Sequence, residues 1–260
     1  MNWRAAPARV LGMVLGLVLA TVQGAWGQCS KTVYLSFDTG HMGVALAVAA
    51  ALDRQQIPAS FFLAAEPTLD GGHSLDAQWA PYWRTLSASG RHDFGSHTWA
   101  HDIWEADLPN GAMRFRMQAG RQAPRWRELD GPAYCAELER VAVRFREMTG
   151  QTLSRIYRAP AGRTSPRLLA ATKACAWHHV GWDLALGDDW PSSRASNPQL
   201  LQRALKGARD GDILLAHLGI WSRQPALLPE LLAPLLDGLK AKGFCFGRLR
   251  EHPQHAAAFR

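Results

Sequence analysis

Short β-forming segments alternate with helical segments along most of this chain, and this alternation limits the possible folds more than any other feature. β-forming residues cluster over residues 32–37, 59–63, 93–96, 156–157, 180–184, 212–216 and 244–249. Helical periodicity lies between them, over residues 44–55, 77–89, 132–149, 165–176, 197–209 and 227–242. Strands and helices in this order predict an α/β fold built around a mostly parallel sheet.

The N-terminal residues have the features of an export signal. Two arginines, Arg4 and Arg9, precede an apolar run over residues 10–22, and small residues follow it. A membrane anchor is the alternative, but the run is shorter than the roughly 20 apolar residues that a membrane span requires. We therefore predict a signal peptide over residues 1–27 and one domain over residues 28–260. The mature protein would be secreted or periplasmic, with no stable membrane span after signal cleavage.

The chain is basic, with 29 Lys and Arg residues against 22 Asp and Glu residues and a formal net charge of +7. A basic protein can bind nucleic acid or an anionic cell-surface polymer, or its charge can serve solubility alone. Predicted export and the lack of a nucleic-acid-binding motif argue against nucleic acid as a partner. The segment 114–127 is rich in arginine and has no acidic residue. We interpret it as a long loop or insertion beside the site, and favour a solvated basic loop over a dedicated binding surface.

Four cysteines remain after the predicted signal: Cys29, Cys135, Cys175 and Cys245. An even number in an exported protein indicates disulfides, for which three connectivities exist. The spacing contains no CxxC, which argues against a structural zinc site or a redox motif. Cys29 and Cys245 flank the first and last predicted strands, which meet if the sheet closes. We therefore expect a bridge between these two.

Five short polar motifs follow predicted strands in a fixed order. They are SFDTG (36–40), HTWAH (97–101), RAPAG (158–162), DDW (188–190) and LLAH (214–217). Barrels and open sheets of the α/β class place their sites at the carboxyl ends of the strands. Taken singly, each motif has a structural explanation, such as a cap, a salt bridge or a core histidine. Their common position at strand ends favours one shared site.

The chemistry of these motifs favours metal-assisted hydrolysis. His97 and His101 are four residues apart, so on a helical turn both rings would face one side and reach one cation. A cation lowers the pKa of bound water, while Asp38 can serve as a base and His217 as an acid. A serine hydrolase is disfavoured because the sequence has no GxSxG motif.

Over residues 31–249 the motifs resemble those of the polysaccharide deacetylases of the NodB-homology type, carbohydrate esterase family four. The usual motifs of that family read TFDDG, H(S/T)xxH, RxPYG, DxxDW and LxH. The resemblance implies a distorted (β/α) barrel in a single domain. It also implies a hydrolase that removes acetyl groups from an N-acetylated or O-acetylated polysaccharide or glycoconjugate. The implied cofactor is a divalent cation, with zinc as first choice and cobalt, nickel or manganese as alternatives. We expect an acetylated glycan as substrate and a monomeric protein.

The resemblance also assigns roles to the residues that perform the reaction. Asp38 matches the base that activates the metal-bound water, and His97 and His101 match the two metal-binding histidines. Arg158 matches the arginine that keeps the base ionised, a task that suits a fixed guanidinium. His217 matches the acid that protonates the leaving group.

Four further residues match positions around the substrate. The backbone N–H of Ala161 corresponds to the oxyanion hole, and Leu215 corresponds to a residue that lines the acetyl pocket. By the same resemblance, Asp189 would orient a neighbouring side chain and Trp190 would form a wall of the pocket.

Three positions depart from the family pattern. Thr39 replaces the metal-ligating aspartate, so its hydroxyl would have to ligate or hold a water; His41 is close in sequence. Ala161 replaces the usual aromatic residue. The segment 182–190 is one residue longer than the common DxxDW pattern and lacks its first aspartate.

Two functional interpretations follow from these departures. The first is an active, metal-dependent deacetylase, of which a deformylase acting on an amino sugar is a variant. The second is a catalytically silent carbohydrate-binding relative that has lost its metal site through Thr39. Retention of Asp38, Arg158 and His217 favours the enzyme, because a binding module needs neither an acid nor a base.

Overall fold

The structure is a computed structural model that describes residues 29–118 and 125–259. The predicted signal peptide, residues 1–27, lies outside the described residues. The strands are β1 (Lys31–Asp38), β2 (Ser60–Leu63), β3 (Asp93–Ser96), β4 (Ile103–Asp107), β5 (Met113–Arg116), β6 (Trp126–Leu129), β7 (Ile156–Tyr157), β8 (His178–His179), β9 (Leu184–Ala185), β10 (Ile213–His217) and β11 (Phe244–Phe246). The α-helices are α1 (Ala45–Arg54), α2 (Ala80–Ala88), α3 (Gly131–Thr149), α4 (Pro166–Ala174), α5 (Asn197–Gly207) and α6 (Leu232–Ala241).

Eight of these strands form one curled parallel sheet in the order β8-β7-β3-β2-β1-β10-β9, with β11 beside the start of β1. The pairing between β1 and β10 runs along most of both strands and ends where Asp38 lies opposite His217. The half-barrel shape agrees with the prediction of a distorted (β/α) barrel. All eight strands of this sheet run in the same direction, so the strand-end motifs lie at one edge of the sheet.

The two faces of this sheet contact different hydrophobic clusters. Along β1, Val33, Leu35 and Phe37 belong to the large cluster between the sheet and the helices. Tyr34, which alternates with them, belongs to a small cluster inside the curve of the sheet. Because side chains alternate along a strand, Asp38 also points to the inner face. By the same alternation, Ile156 of β7 and Ile213 of β10 also point to the inner face, in the cluster that contains Tyr34.

The arginine-rich segment 114–127 begins in β5 and ends in β6, so its prediction as a loop is wrong at both ends. β4, β5 and β6 form a separate antiparallel sheet, and residues 119–124 within the segment lie outside the described part of the chain. Met113 and Phe115 are buried while the arginines beside them are not. The strand alternation is present, but the high charge of the segment obscured it.

Helix and strand boundaries follow local sequence signals in most places. The side chain of Ser165 accepts a hydrogen bond from the Leu168 N–H and caps α4. The predicted strand over residues 180–184 is wrong. β8 ends at His179 and β9 begins only at Leu184, because Gly181 and Asp183 between them are poor β-formers.

Both pairs of cysteines are bridged. Cys29 is bonded to Cys245, which confirms the expected link between the first and last strands. Cys135 of α3 is bonded to Cys175, the residue that ends α4. In the described ranges, no helix is long and apolar enough to cross a membrane.

Candidate active site

Arg158 and Asp38 form a buried ion pair at the centre of the site. Arg158 follows β7, has no exposed surface, and donates from Nη1 to Asp38 Oδ1 at 2.7 Å. Its Nη2 donates to Ser36 Oγ and to the Gly181 carbonyl, both at 2.9 Å, and its Nε donates to the Val180 carbonyl at 3.3 Å. A buried guanidinium needs this many acceptors, because an unpaired buried donor is costly.

The ion pair sets the protonation state of Asp38. Burial by itself would raise the pKa of this carboxyl, but the charges of Arg158, His97 and His217 and the hydrogen bond from Arg158 outweigh it and lower the pKa. Asp38 is therefore a carboxylate at neutral pH. Its second oxygen, Oδ2, lies 3.3 Å from His97 Nε2. One oxygen is thus fixed by the arginine and the other faces the histidine pair.

The structure brings His97 and His101 together. Their Nε2 atoms are 3.1 Å apart. The Nδ1 of His97 lies 2.7 Å from the Arg158 carbonyl, which can only accept, so Nδ1 carries the proton and Nε2 keeps its lone pair. Burial lowers the pKa of His97 to about 4, so the ring is neutral at neutral pH. The turn that pairs them is irregular rather than helical, with positive φ at Thr98 and His101.

Thr39 does not direct a free hydroxyl at the histidines. Its Oγ1 accepts from the Ala64 N–H at 3.0 Å and donates to Glu66 Oε2 at 2.6 Å. The other oxygen of Glu66 lies 4.0 Å from His101 Nδ1. The ring of His41 packs edge-on against Trp221. Glu66 escaped the sequence analysis because it belongs to no motif, although it follows β2 in the same way that the motifs follow their strands.

The side chains fit a divalent cation in their chemistry, although no complete ligand shell is formed. Within residues 29–118 and 125–259, no three His, Cys, Asp or Glu side chains are arranged as a metal site. Two imidazoles with facing nitrogens are nevertheless flanked by the carboxylates of Asp38 and Glu66. Nitrogen and carboxylate donors of this kind suit zinc and related transition ions. His97 and His101 are the residues that would hold the cation.

His217 ends β10 and pairs with Asp188. Its N–H donates to Asp188 Oδ2 at 2.6 Å, and its Nδ1 lies 3.1 Å from Oδ1. Burial alone would lower the pKa of His217, but the Asp188 carboxylate, with smaller contributions from Asp38 and Asp189, raises it to about 9. His217 is therefore protonated at neutral pH and can donate a proton from Nε2.

The carboxylate that contacts His217 belongs to Asp188, whereas the family resemblance points to its neighbour Asp189 as the residue that orients a nearby side chain. Gly187 has a φ of 78°, a left-handed turn that buries Asp188 and leaves Asp189 exposed. Asp189 accepts a hydrogen bond at its carbonyl from Ser222 Oγ. In a DD doublet, only the turn decides which side chain points inwards.

The other residues predicted to lie beside the substrate, Leu215, Ala161 and Trp190, are in different environments. Leu215 is buried on the same strand face as His217 and belongs to neither hydrophobic cluster. Ala161 lies in an exposed turn with a φ of 54°. Trp190 contacts two arginines, since the guanidinium groups of Arg194 and Arg203 lie 3.6 and 4.2 Å from its ring centre.

Trp182 is the tryptophan that lies beside the catalytic candidates. Its ring centre is 5.6 Å from the Arg158 guanidinium, and a β-carbon at Gly162 would come within 2.6 Å of its ring. It therefore packs on the turn that contains Ala161. No motif in the sequence distinguishes Trp182 from Trp190, so the sequence alone did not indicate which of the two lies beside the site.

Comparisons with known proteins identify the family and the fold of this chain. The family model for polysaccharide deacetylases covers residues 27–180. An uncharacterised 30.6 kDa protein of Geobacillus stearothermophilus, encoded in the fumA 3' region, is 24% identical over 220 residues, which are 84% of this chain and 69% of that protein.

Two solved structures show the same fold. A family 4 acetyl xylan esterase from Clostridium thermocellum, in complex with a cobalt ion, has a TM-score of 0.64 at 23% identity, over 85% of this chain and 89% of that one. The CE4-family pseudoenzyme BA3943 of Bacillus anthracis has a TM-score of 0.62 at 16% identity, over 85% and 65%. Because the family model matches more than half of the sequence, this chain belongs to the polysaccharide deacetylase family of hydrolases.

Proposed function

We propose that the protein is an exported, metal-dependent deacetylase that hydrolyses acetyl groups on an N-acetylated or O-acetylated polysaccharide or glycoconjugate. The main support for this proposal is that the pKa values of two adjacent groups are shifted in opposite directions. Asp38 is held ionised and His217 is held protonated, on neighbouring strands beside the histidine pair. Hydrolysis of an amide or ester needs a base and an acid in these two states at the same pH.

The residues divide the reaction between them. His97 and His101 would hold a divalent cation, whose positive charge would lower the pKa of water and polarise a carbonyl. Asp38 accepts a proton from the attacking water through Oδ2, while Arg158 holds Oδ1. His217 gives its Nε2 proton to the departing amine or alkoxide.

Two residues position the acetyl group. The Ala161 N–H donates to the oxygen that gains negative charge, and no side chain is needed for that role. Leu215, on the strand face of His217, contacts the acetyl methyl group. The outer wall is formed by Trp182, whose flat ring suits a sugar face.

Export is part of the proposal and is supported by the cysteines. Both bridges are of a kind that persists in oxidising compartments, and no cysteine is left free. N-terminal sequencing of protein recovered from the medium or periplasm tests it. A start at residue 28 is expected, whereas an uncleaved start at Met1 would contradict the signal peptide.

A catalytically silent carbohydrate-binding protein is the second candidate. Thr39 favours it, because the family aspartate is missing, and one structurally similar protein is described as a pseudoenzyme. The intact pairs Asp38–Arg158 and His217–Asp188 argue against it, since binding alone would not keep both.

Acetate release separates the two candidates. The purified protein would be assayed against acetylated chitin oligomers, peptidoglycan and acetylated xylan, with zinc, cobalt, nickel or manganese and with a chelator. We expect acetate release that the chelator abolishes and a cation restores. Glycan binding without acetate release under every condition would support the silent protein.

A further inference from the structure

We propose that Glu66 is the carboxylate ligand of the cation, replacing the aspartate that Thr39 has displaced, and that Thr39 positions it. This inference rests on the proposed function, because it concerns the cation of the same site. Glu66 Oε2 accepts a hydrogen bond from the Thr39 hydroxyl at 2.6 Å, and Glu66 Oε1 lies 4.0 Å from His101 Nδ1. Glu66 thus supplies a carboxylate next to the position where the family has its aspartate, and one hydrogen bond joins it to Thr39, the residue at that position.

The hydroxyl of Thr39 is already occupied, so it serves as a support for Glu66. Thr39 is buried and accepts from the Ala64 N–H while donating to Glu66. A neutral hydroxyl used in this way is a poor ligand for a dication. The carboxylate next to it has the charge and the oxygen donors that zinc accepts.

The backbone around Glu66 is fixed from two sides. Its N–H donates to Ser74 Oγ at 3.2 Å, and its carbonyl accepts from the Ser74 N–H at 2.9 Å. The preceding residue, Ala65, donates its N–H to the Trp99 carbonyl at 2.9 Å, inside the turn between His97 and His101. A backbone hydrogen bond therefore ties the loop of Glu66 to the loop of the histidines.

The charge balance of the site also points to Glu66. Asp38 is neutralised by Arg158 at 2.7 Å, so it contributes little net negative charge to a cation. Among the described residues, Glu66 has no lysine or arginine within 4.0 Å; its one ion-pair neighbour is His101. A partly buried carboxylate beside two imidazoles, without a lysine or arginine partner, is an electrostatic arrangement that a bound cation completes.

Zinc affinity of the metal-stripped, full mature protein tests the assignment without relying on activity. Calorimetric titration would compare wild type, Glu66→Gln and the control Glu105→Gln. Glu105 is a matched glutamate, since its side chain is 18% exposed against 17% for Glu66, and it pairs with Arg116 instead. Loss of an outer-shell partner weakens metal binding about 10- to 100-fold. We expect Glu66→Gln to weaken zinc affinity by more than about 100-fold and Glu105→Gln to leave zinc affinity unchanged.

A rescue variant separates ligation from a structural effect. In Glu66→Gln, Thr39→Asp returns a carboxylate to the family position, so zinc affinity should recover, and cobalt-loaded protein should regain its visible absorption bands. Circular dichroism of the stripped variants confirms folding. Wild-type affinity in Glu66→Gln, or no recovery in the double variant, would overturn the role of Glu66 while leaving the proposed function intact. Absence of zinc binding by the wild type would overturn both.

Discussion

At the scale of single residues, Asp38 and His217 are neighbours with opposite protonation states. They lie opposite each other at the ends of paired parallel strands. Each has its own buried partner of opposite charge, Arg158 for the base and Asp188 for the acid. The partners keep the proton on the histidine and off the aspartate across the neutral range, which the proposed reaction requires.

The first prediction concerns the pH dependence that Asp188 imposes. The pKa of His217 is raised to about 9, so the acid is present below that pH and is lost as the pH rises through it. Deacetylation should therefore decline above about pH 9. Asp188→Asn removes the main charge that raises this pKa, so the alkaline limb of the kcat/KM profile should move to lower pH. Asp189→Asn, the exposed neighbour, is the control and should keep a nearly wild-type limb; equal profiles for both variants would remove Asp188 from this role.

The second prediction separates the base from its structural partner. Asp38→Asn should reduce turnover by about 10²- to 10⁴-fold, the usual contribution of a general base. It also leaves Arg158 buried without its counter-charge, which costs about 3–5 kcal/mol of unfolding free energy. Zinc content, measured by elemental analysis, should remain. In the double variant Asp38→Asn, Arg158→Met, stability should recover but turnover should not; recovered turnover would exclude Asp38 as the base.

At the scale of elements, the turns after β1 and β10 touch through two glycines. The Gly219 carbonyl accepts from the His41 N–H at 3.0 Å. A β-carbon on Gly40 would lie 2.1 Å from that carbonyl oxygen, and Gly219 itself has a φ of 120°. The close approach keeps the strand ends that position Asp38 and His217 in register.

The third prediction follows from this contact. Gly40→Ala must separate the two turns, because the obstructing atom is backbone and has no rotamer to change. Misplacement of reacting groups by about 1 Å can cost about 100-fold in rate. We expect kcat/KM to fall at least 10-fold while the protein stays folded by circular dichroism. Gly207→Ala, where the new β-carbon meets only side-chain atoms at 3.5 Å or more, should be neutral. Wild-type activity in Gly40→Ala would contradict this account.

Sequence reasoning succeeded where local pattern and position along the chain determine structure. The strand-end motifs that contain Asp38, His97, Arg158 and His217 meet because parallel strands end at the same edge. It failed where the backbone conformation of a turn determines which side chain faces the site. The choice between Asp188 and its neighbour depends on the conformation of one glycine.

Glu66 was missed for a related physical reason. Its importance comes from a hydrogen bond to Thr39, 27 residues away, which no local pattern contains. The missing aspartate at Thr39 is visible in the sequence, but the residue that stands near it in space is not. The β5 strand was missed because arginines alternate with its buried Met113 and Phe115.

At the scale of the whole molecule, the site joins loops from distant parts of the chain. Residues 38, 66, 97, 158 and 217 follow or end five different strands of one sheet. A cation that binds only when these loops are assembled stabilises the folded state against the unfolded chain. The proposed metal site should therefore be visible in global stability as well as in catalysis.

The last prediction measures this coupling. Zinc at about 100 times its dissociation constant should add about 2.7 kcal/mol to the unfolding free energy. For a domain of this size, about 2–4 °C per kcal/mol makes this a rise of about 5–11 °C in the unfolding midpoint. Differential scanning calorimetry with zinc, and then with excess chelator, should show the rise and its reversal. The variant His97→Ala, His101→Ala should unfold at the same temperature in both conditions, because it lacks the two nitrogens that face each other across 3.1 Å. A zinc-dependent rise in that variant would mean that the cation binds elsewhere, and an unchanged midpoint in the wild type would mean that these loops assemble without it.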